Sequence, residues 1–236
     1  MLSDKNQAKI LGILFLYAFV SSLLGIMLSG LMSPSFIKNE TLLSNIAVNT
    51  IRIQISILID ITACVAVIAI GVMLFNILKV QNRILALLGL SLFLIEAIIL
   101  AVSKISIFPL LQLSRDYLNS GYGYSHVYQI AANLLVIFHN SSYLVLQFFY
   151  SLGGIIFFYL FYKLQAIPHL LSSTGLLVFA ILLSDAIVTV LGYNPGIILK
   201  LPEALFEIFI GIWLIIKGIN LRSSKSLLPN TVLNKL

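Results

Sequence analysis

Residues 51–78 read IRIQISILIDITACVAVIAIGVMLFNIL, and the only charged residues in this run are Arg52 and Asp60. About 20 consecutive apolar residues are enough for an α-helix to cross the hydrocarbon core of a bilayer. The run therefore predicts a membrane-spanning helix. Comparable apolar runs flank it at about residues 10–32, 84–108, 134–162, 170–191 and 202–217. The sequence thus predicts an all-α fold, a polytopic transmembrane helical bundle with six transmembrane helices.

The composition of the whole chain agrees with this fold. Of its 236 residues, 60% are hydrophobic and 9% are charged, whereas soluble domains carry about 25% charged residues. A soluble chain of this composition would expose large apolar patches and aggregate, so the expected partner is a lipid bilayer. Nucleic acid is rejected as a partner despite the net charge of +6, because the basic residues occur at the ends of the predicted spans and not in one patch.

The distribution of basic residues predicts the orientation in the membrane. Most lysines and arginines lie near the two termini and in the connections after the second and fourth spans, whereas the opposite side holds Lys38, Arg115 and Lys200. Since basic residues favour the cytoplasmic side, both termini are expected to be cytoplasmic in a multi-pass protein of the cell membrane. Residues 1–236 are expected to form a single transmembrane domain, with a cytoplasmic tail at 218–236. The tyrosine-rich stretch Leu110–Asn133 is predicted to be the longest connection and to lie partly along the membrane–water boundary.

Ionisable residues inside the predicted spans are the strongest indication of function, because each costs about 2.5–3.5 kcal/mol to insert. They are Arg52, Asp60, Glu96, Lys104, His139, Asp185, Glu203 and Glu207. A rise of about 1.5 Å per residue puts them in the outer half of the bilayer, whereas the inner halves of the same spans are almost purely apolar. This one-sided layer predicts a polar cavity open to the outside, lined by groups that bind a ligand or carry a proton.

Three functions are compatible with such a layer. Acids outnumber bases in it, and unpaired buried acids need a proton, water or a ligand, so the first is binding of a small or cationic ligand, as in a proton-coupled carrier. The second is an intramembrane enzyme acting on a lipid-like substrate, in which His139 and a carboxylate form the site. The third is a structural or partner-binding subunit whose charges are merely buried pairs. Whether the protein is an enzyme, and its oligomeric state, stay open; no catalytic residue, metal site or cofactor is assigned.

Purely structural roles would also explain several of these charges. Arg52 and Asp60 could neutralise each other, and Lys104 could pair with Glu96 or Glu207 or reach outward. Glu203 follows Pro202 in the first turn of the last span, where an acid suits the helix dipole. Outside the charged set, the residues Ser21, Gly25 and Ser29 recur on one face of the first span and would allow close helix packing. The aromatic residues between 148 and 162 are expected to contact lipid and anchor the helix at the interface.

Short motifs resemble a family of prokaryotic membrane proteins catalogued as domain of unknown function 4386. Residues 201–207 (LPEALFE) and 210–218 (IGIWLIIKG) look like the C-terminal signature of that family. Further similar motifs are Arg52-Ile53 with Asp60, Glu96-Ala97, and Lys163 with Pro168. The resemblance covers about residues 8–219 and implies a six-helix protein of the bacterial inner membrane. It implies no activity, because none is assigned to the family.

Overall fold

A computed structural model describes residues 4–31, 42–119, 125–193 and 195–219. The regular secondary structure of these residues is helical, with no strand among them, which confirms the all-α prediction. The helices are α1 (Asp4–Ser29), α2 (Leu42–Val48), α3 (Thr50–Leu78), α4 (Arg83–Ile105), α5 (Ile107–Asn119), α6 (Ser125–Leu164), α7 (His169–Val190) and α8 (Leu201–Ile216).

Five helical segments in the described part of the chain are long and apolar enough to cross a membrane. They are Lys5–Ser29, Thr50–Leu78, Arg83–Asn119, His126–Leu164 and His169–Val190. The sixth predicted span corresponds to α8, which has 16 residues and is therefore about 24 Å long. The hydrocarbon core of a bilayer is about 30 Å thick, so the sixth span stays a prediction.

The largest difference from the sequence-based prediction lies between the third and fourth spans. Leu110–Asn133 was expected to be a connection, but most of its described residues are helical, since α5 covers Ile107–Asn119 and α6 already begins at Ser125. The third predicted span, 84–108, ends directly before Pro109, but Pro109 does not terminate the helical structure. It lies in the first turn of α5, where its missing N–H costs no helical hydrogen bond. Tyr117 of this stretch is buried, and the expected position of the stretch along the membrane–water boundary stays a prediction.

Some predicted features lie outside the described residues. Lys38 is one of them, and so are residues 120–124 of the predicted connection. Of the predicted cytoplasmic tail, residues 220–236 also lie outside the described part.

The chain divides into two compact units, and the single transmembrane domain expected from the sequence stays a prediction. The first unit comprises Met1–Phe19, Val65–Ala97 and Gln147–Leu236, and the second comprises Val20–Cys64 and Ile98–Leu146. Helices α1, α3, α4 and α6 therefore contribute residues to both units. In the first unit α7 packs against α8, and in the second α2 packs against α5.

Aromatic side chains form much of the core of the first unit. The ring of Phe158 on α6 lies 5.5 Å from that of Phe179 on α7 and 5.1 Å from that of Phe206 on α8. Phe157 and Phe161 are buried as well. The expectation that the aromatic residues of this helix contact lipid is therefore wrong for these phenylalanines, because they face neighbouring helices.

The position of α8 depends on its close approach to α1. A Cβ atom added to Gly12 would lie 2.5 Å from the backbone oxygen of Gly211. Backbone atoms cannot move aside as a flexible side chain can, so only glycine allows the two helices to come this close. Within the first unit, this contact holds α8, which carries Glu203 and Glu207, against α1.

In the second unit, aliphatic residues pack around the short helix α2. Leu42, Leu43 and Ile46 of α2 are buried in one cluster with Ile107 and Leu110 of α5. Burial of a large aliphatic side chain stabilises a folded structure by about 1.5–3 kcal/mol. The cluster also includes Ile53 and Ile57 of α3, the helix that carries Asp60.

Candidate functional site

Asp60 and Lys104 form a buried ion pair in the second unit. Lys104 Nζ lies 2.7 Å from Asp60 Oδ2, and the two side chains are only 3% and 4% exposed. Lys104 also donates a hydrogen bond of 2.6 Å to the hydroxyl oxygen of Tyr143 on α6, and its Nζ atom lies 4.8 Å from the centre of the Tyr143 ring. The positive charge of Lys104 is therefore held by a carboxylate, a hydroxyl and an aromatic face.

Asp60 fits into this position because Gly25 on α1 has no side chain. A Cβ atom at residue 25 would overlap the carboxyl group of Asp60. Ser21 and Ser29, which lie on the same face of α1, are buried too. The predicted small-residue face of the first span is thus a close-packing face, and a charged side chain packs against it.

His139 lies beside this ion pair. It is 2% exposed, its Nδ1 atom is 3.1 Å from the backbone oxygen of Ser103, and its ring centre is 5.1 Å from that of Tyr143. Since a carbonyl oxygen can only accept, this hydrogen bond requires a proton on Nδ1. The described contacts of His139 are to a carbonyl and a phenol, so the structure does not place it in the acid–base pair that the sequence suggested.

Arg52 does not join Asp60. It is exposed and donates a hydrogen bond of 3.3 Å to Oδ1 of Asn49. The two residues are separated by about 12 Å along the same helix, and Asp60 takes its counter-charge from Lys104 instead. The suggestion that Arg52 and Asp60 neutralise each other is therefore wrong.

A second group of predicted residues forms an acidic cluster in the first unit. It consists of Glu96 on α4, Glu203 and Glu207 on α8, and Tyr150 on α6. The hydroxyl group of Tyr150 donates to Oε1 of Glu203 at 3.0 Å, and Glu203 and Glu207 lie one helical turn apart on α8 and interact electrostatically. Glu96 is close enough to interact electrostatically with both. Glu203 therefore does more than cap the first turn of its helix.

Glu96 is the unusual member of this acidic cluster. It is 6% exposed, and its Oε2 atom has no hydrogen-bond partner within the described part of the chain. The salt bridges between described residues involve Asp60 and Asp185, so none of the three glutamates is neutralised by a described base. The cluster thus has an excess of acid, in contrast to the closed pair of Asp60 and Lys104.

Aromatic rings enclose the phenol of the acidic cluster. The ring of Tyr150 lies 5.5 Å from that of Phe93 and 5.2 Å from that of Phe179. The acidic cluster therefore has aromatic neighbours on α4 and α7 and a hydrogen-bond donor in the Tyr150 hydroxyl group, which contacts Glu203.

Asp185 on α7 is intermediate between these two cases. It is 1% exposed, and its Oδ2 atom accepts a 2.7 Å hydrogen bond from Nε2 of Gln147. Lys200 lies 3.8 Å from the same oxygen, with a side chain that is 53% exposed. The other oxygen, Oδ1, has no partner among the residues that the structure describes. Asp185 thus has a close hydrogen bond from an uncharged amide and a more distant, exposed base as its counter-charge.

Neither a metal site nor the outward cavity receives support from this geometry. Across the described ranges, no group of three or more His, Cys, Asp or Glu residues is arranged to hold a metal ion. A groove of about 240 Å³ is present, but none of the charged residues singled out by the sequence lines it. The polar cavity open to the outside stays a prediction.

The uncharged partners of these charges were not predicted from the sequence. Tyr143, Gln147 and Tyr150 contact Lys104, Asp185 and Glu203 respectively. Together with His139 they follow one another at intervals of four, four and three residues along α6, the spacing of one helix face. This polar face could have been found from the sequence by helical periodicity.

Long apolar helices with ionisable side chains buried among them define the class of helical membrane proteins. Within this class, the model of the family called domain of unknown function (DUF4386) matches residues 10–218, and the chain therefore belongs to that family. This confirms the resemblance noted in the sequence. No curated protein and no solved structure matches the chain. Since the family has no assigned function, any function has to be argued from the geometry.

Proposed function

We propose that this protein binds a small organic cation at the acidic cluster of Glu96, Glu203, Glu207 and Tyr150, and that it exchanges this cation for protons. The single observation that carries the proposal is the buried, unpartnered Oε2 atom of Glu96 next to two further carboxyl groups. An ionised carboxylate is very costly in an apolar interior unless it is paired. A proton or a bound cation would remove this cost.

The contacts within the acidic cluster favour an ammonium-type cation. The described acids are not arranged as a metal site, but the hydroxyl group of Tyr150 contacts Glu203, and the Tyr150 ring packs against that of Phe93. Carboxylates combined with aromatic faces suit organic ammonium groups, which gain both charge pairing and cation–π attraction. Because the same carboxyl groups can hold protons, binding of the cation would release protons, and this exchange is the basis of a proton-coupled carrier.

The proposal includes a sixth span and the predicted orientation. Lys200 has helical dihedral angles, and the amide of Leu201 donates to the carbonyl of Ile197 at 3.1 Å. This bond forms one turn directly before α8. We propose that this turn continues α8 in the membrane, since a helix over residues 197–216 would be about 30 Å long, enough to cross a bilayer. With six spans, both termini lie on one side, and the basic residues near them make this the cytoplasmic side of the cell membrane, as expected for a bacterial inner membrane.

The other predicted functions draw less support from the contacts. The second unit offers a closed ion pair and a histidine bonded to a backbone carbonyl, which suits a structural role for Asp60, Lys104 and His139. Among the contacts of the described residues, none favours an enzyme acting on a lipid-like substrate. We therefore assign the ligand site to the first unit alone.

Thermal unfolding in detergent micelles tests the cation site. Benzyltrimethylammonium serves as the probe, with sodium chloride at equal ionic strength as the reference, over a series of pH values. We expect the probe to raise the unfolding temperature of the wild type, more so at higher pH where fewer protons compete. Glu96→Gln and Glu207→Gln should abolish this increase without preventing folding.

Asp116→Asn is the matched control for these variants, because Asp116 is an acid outside the cluster that accepts a hydrogen bond from Gln112. It should keep the response to the probe. A wild type that responds equally to sodium chloride, or a Glu96→Gln variant that keeps the response, would contradict the proposed site.

The orientation is tested separately by cysteine labelling. In a Cys64→Ala background, single cysteines at Lys5 and Ile219 should both resist a membrane-impermeant maleimide in intact cells and react after lysis. Labelling of only one of the two in intact cells would mean an odd number of spans.

A further inference from the structure

A groove with a volume of about 240 Å³ lies in the first unit, outside the acidic cluster. Its walls are the connection between α3 and α4 and the last turns of α6. The lining residues are Gln81, Asn82, Leu85, Tyr159, Leu160 and Lys163. None of them takes part in the proposed cation site.

Polar donors occupy one side of this groove. Lys163 is exposed, its Nζ atom lies 5.8 Å from the centre of the Tyr159 ring, and it forms no salt bridge with a described acid. Asn82 accepts a 3.0 Å hydrogen bond from the amide of Leu85 through its Oδ1 atom. That bond caps α4 and leaves the side-chain NH₂ of Asn82 as a donor. The groove therefore presents a cation and amide donors, which is the chemistry that holds a phosphate group.

The other side of the groove is apolar. Leu160 is buried at its base, Leu85 is half-buried, and the Tyr159 ring is exposed beside them. A simple inorganic anion gains no apolar contact from this side of the groove. A phospholipid does, because it carries a charged phosphate next to glycerol and acyl carbons. Lys79 and Arg83 also flank the groove along the chain and are exposed, which adds positive charge around it.

We propose that this groove binds the headgroup of an anionic phospholipid. Lys163 pairs with the phosphate, the amide groups of Gln81 and Asn82 donate to its oxygens, and the glycerol end lies along Leu85 and Tyr159. Basic side chains between apolar helices recognise anionic lipids through this combination of charge and apolar contact. The proposal is independent of the cation site and of the number of spans.

Thermal unfolding of the full-length protein in a neutral detergent tests the groove. Phosphatidylglycerol, phosphatidylcholine and inorganic phosphate are the three additives. We expect phosphatidylglycerol to raise the unfolding temperature and the other two to have little effect. Lys163→Gln should weaken the half-maximal response to phosphatidylglycerol by about fivefold, the equivalent of one lost basic contact at a membrane surface.

Three further variants test whether the response is specific to this groove. Lys217→Gln removes an exposed basic residue of the same unit that does not line the groove, and it should leave the response unchanged. Leu85→Trp fills the groove without changing the charge, and it should weaken the response as Lys163→Gln does. Lys163→Arg keeps the positive charge and should keep the response to phosphatidylglycerol. This result would exclude that Lys163→Gln loses the response merely because any substitution at residue 163 unfolds the protein.

Several outcomes would overturn this proposal. Equal protection by inorganic phosphate would identify a free anion as the occupant, and equal protection by phosphatidylcholine would show a general effect of lipid. An equal loss of response in Lys163→Gln and Lys217→Gln would show that net charge acts without a site. Protection by phosphatidylglycerol that survives Leu85→Trp would place the lipid elsewhere.

Discussion

Asp60 and Glu96 are both carboxylates buried on long apolar helices, yet their surroundings differ. In the second unit, Asp60 has the ammonium group of Lys104 at 2.7 Å. In the first unit, Glu96 has an oxygen without any described partner and two more glutamates nearby. Burial of an acid in an apolar helix therefore does not by itself indicate a functional site. What distinguishes the two cases is whether a base lies beside the acid.

The difference has an energetic meaning. A buried ion pair is a complete unit, and removing one half leaves an uncompensated charge that costs several kcal/mol. A buried acid without a base already carries that cost, unless a proton or ligand removes it. Mutations that remove charge should consequently have opposite effects in the two units, and this contrast can be tested by stability alone.

The largest effect is expected for Lys104→Met in the second unit. This change keeps the length of the side chain but leaves Asp60 buried without its base. We expect a loss of about 3–5 kcal/mol in the free energy of unfolding, measured by denaturant or thermal unfolding in detergent micelles. The double variant Asp60→Asn/Lys104→Met should regain most of this loss, because both charges are then absent.

Arg52→Gln is the control for this prediction, because Arg52 is exposed and lies on the same helix as Asp60. It should leave the unfolding midpoint almost unchanged. If Lys104→Met were as mild as Arg52→Gln, the ion pair would not contribute to the stability of the second unit.

The second effect concerns Asp185, whose Oδ2 atom lies closer to the amide group of Gln147 than to the ammonium group of Lys200. Gln147→Leu removes the 2.7 Å hydrogen bond to Oδ2 of Asp185, and a charged acceptor that loses its donor costs about 1.5–3 kcal/mol. Lys200→Gln should cost only about 0–1 kcal/mol, since Lys200 is largely exposed. The reverse order in unfolding experiments would show that the charge of Lys200 is what makes Asp185 tolerable.

The third effect tests how tightly α1 packs against the ion pair. Gly25→Ala adds a Cβ atom where the Asp60 carboxyl group lies, and such overpacking costs about 1–3 kcal/mol. Ser22→Ala, an exposed position on the same helix, should be close to neutral. A neutral Gly25→Ala would mean that Asp60 can move away from α1 without losing Lys104.

Much of the fold could be predicted from the sequence because the apolar length of a helix is a local property. The second predicted span, 51–78, agrees with α3 (Thr50–Leu78), and the fifth, 170–191, agrees with α7 (His169–Val190). The error at Leu110–Asn133 has a local cause as well. A proline that terminates a helix and a proline in the first turn of the next one look alike in sequence.

The sequence could predict which residues belong to the candidate site but not which of them contact each other. A charge within an apolar run is visible in sequence, so Asp60, Glu96 and Lys104 could be identified. Which of them meet depends on how the helices are rotated and packed, and Lys104 pairs with Asp60 and not with Glu96 of its own helix. The sequence therefore suggested one charged layer, whereas the contacts sort its members into groups within separate units.

The smallest expected effect on stability is the one that most directly distinguishes the unpaired acid of the first unit from the paired acid of the second. Glu96→Gln replaces a carboxyl group that has no described base with an amide of the same shape. A neutral amide is cheaper to bury than an unpaired carboxylate, so we expect the free energy of unfolding without added cations to change by less than about 1 kcal/mol, with an increase at high pH. Thermal and denaturant unfolding over a pH series would measure it.

Asp60→Asn is the direct counterpart of this variant, because it makes the same chemical change at a paired acid. It leaves Lys104 buried without its carboxylate and should cost about 3–5 kcal/mol. If Glu96→Gln proved as costly as Asp60→Asn, Glu96 would have to be stabilised as an anion by a partner of its own. The acidic cluster would then be a structural charge network like that of Asp60, and a bound cation would no longer be needed to explain its burial.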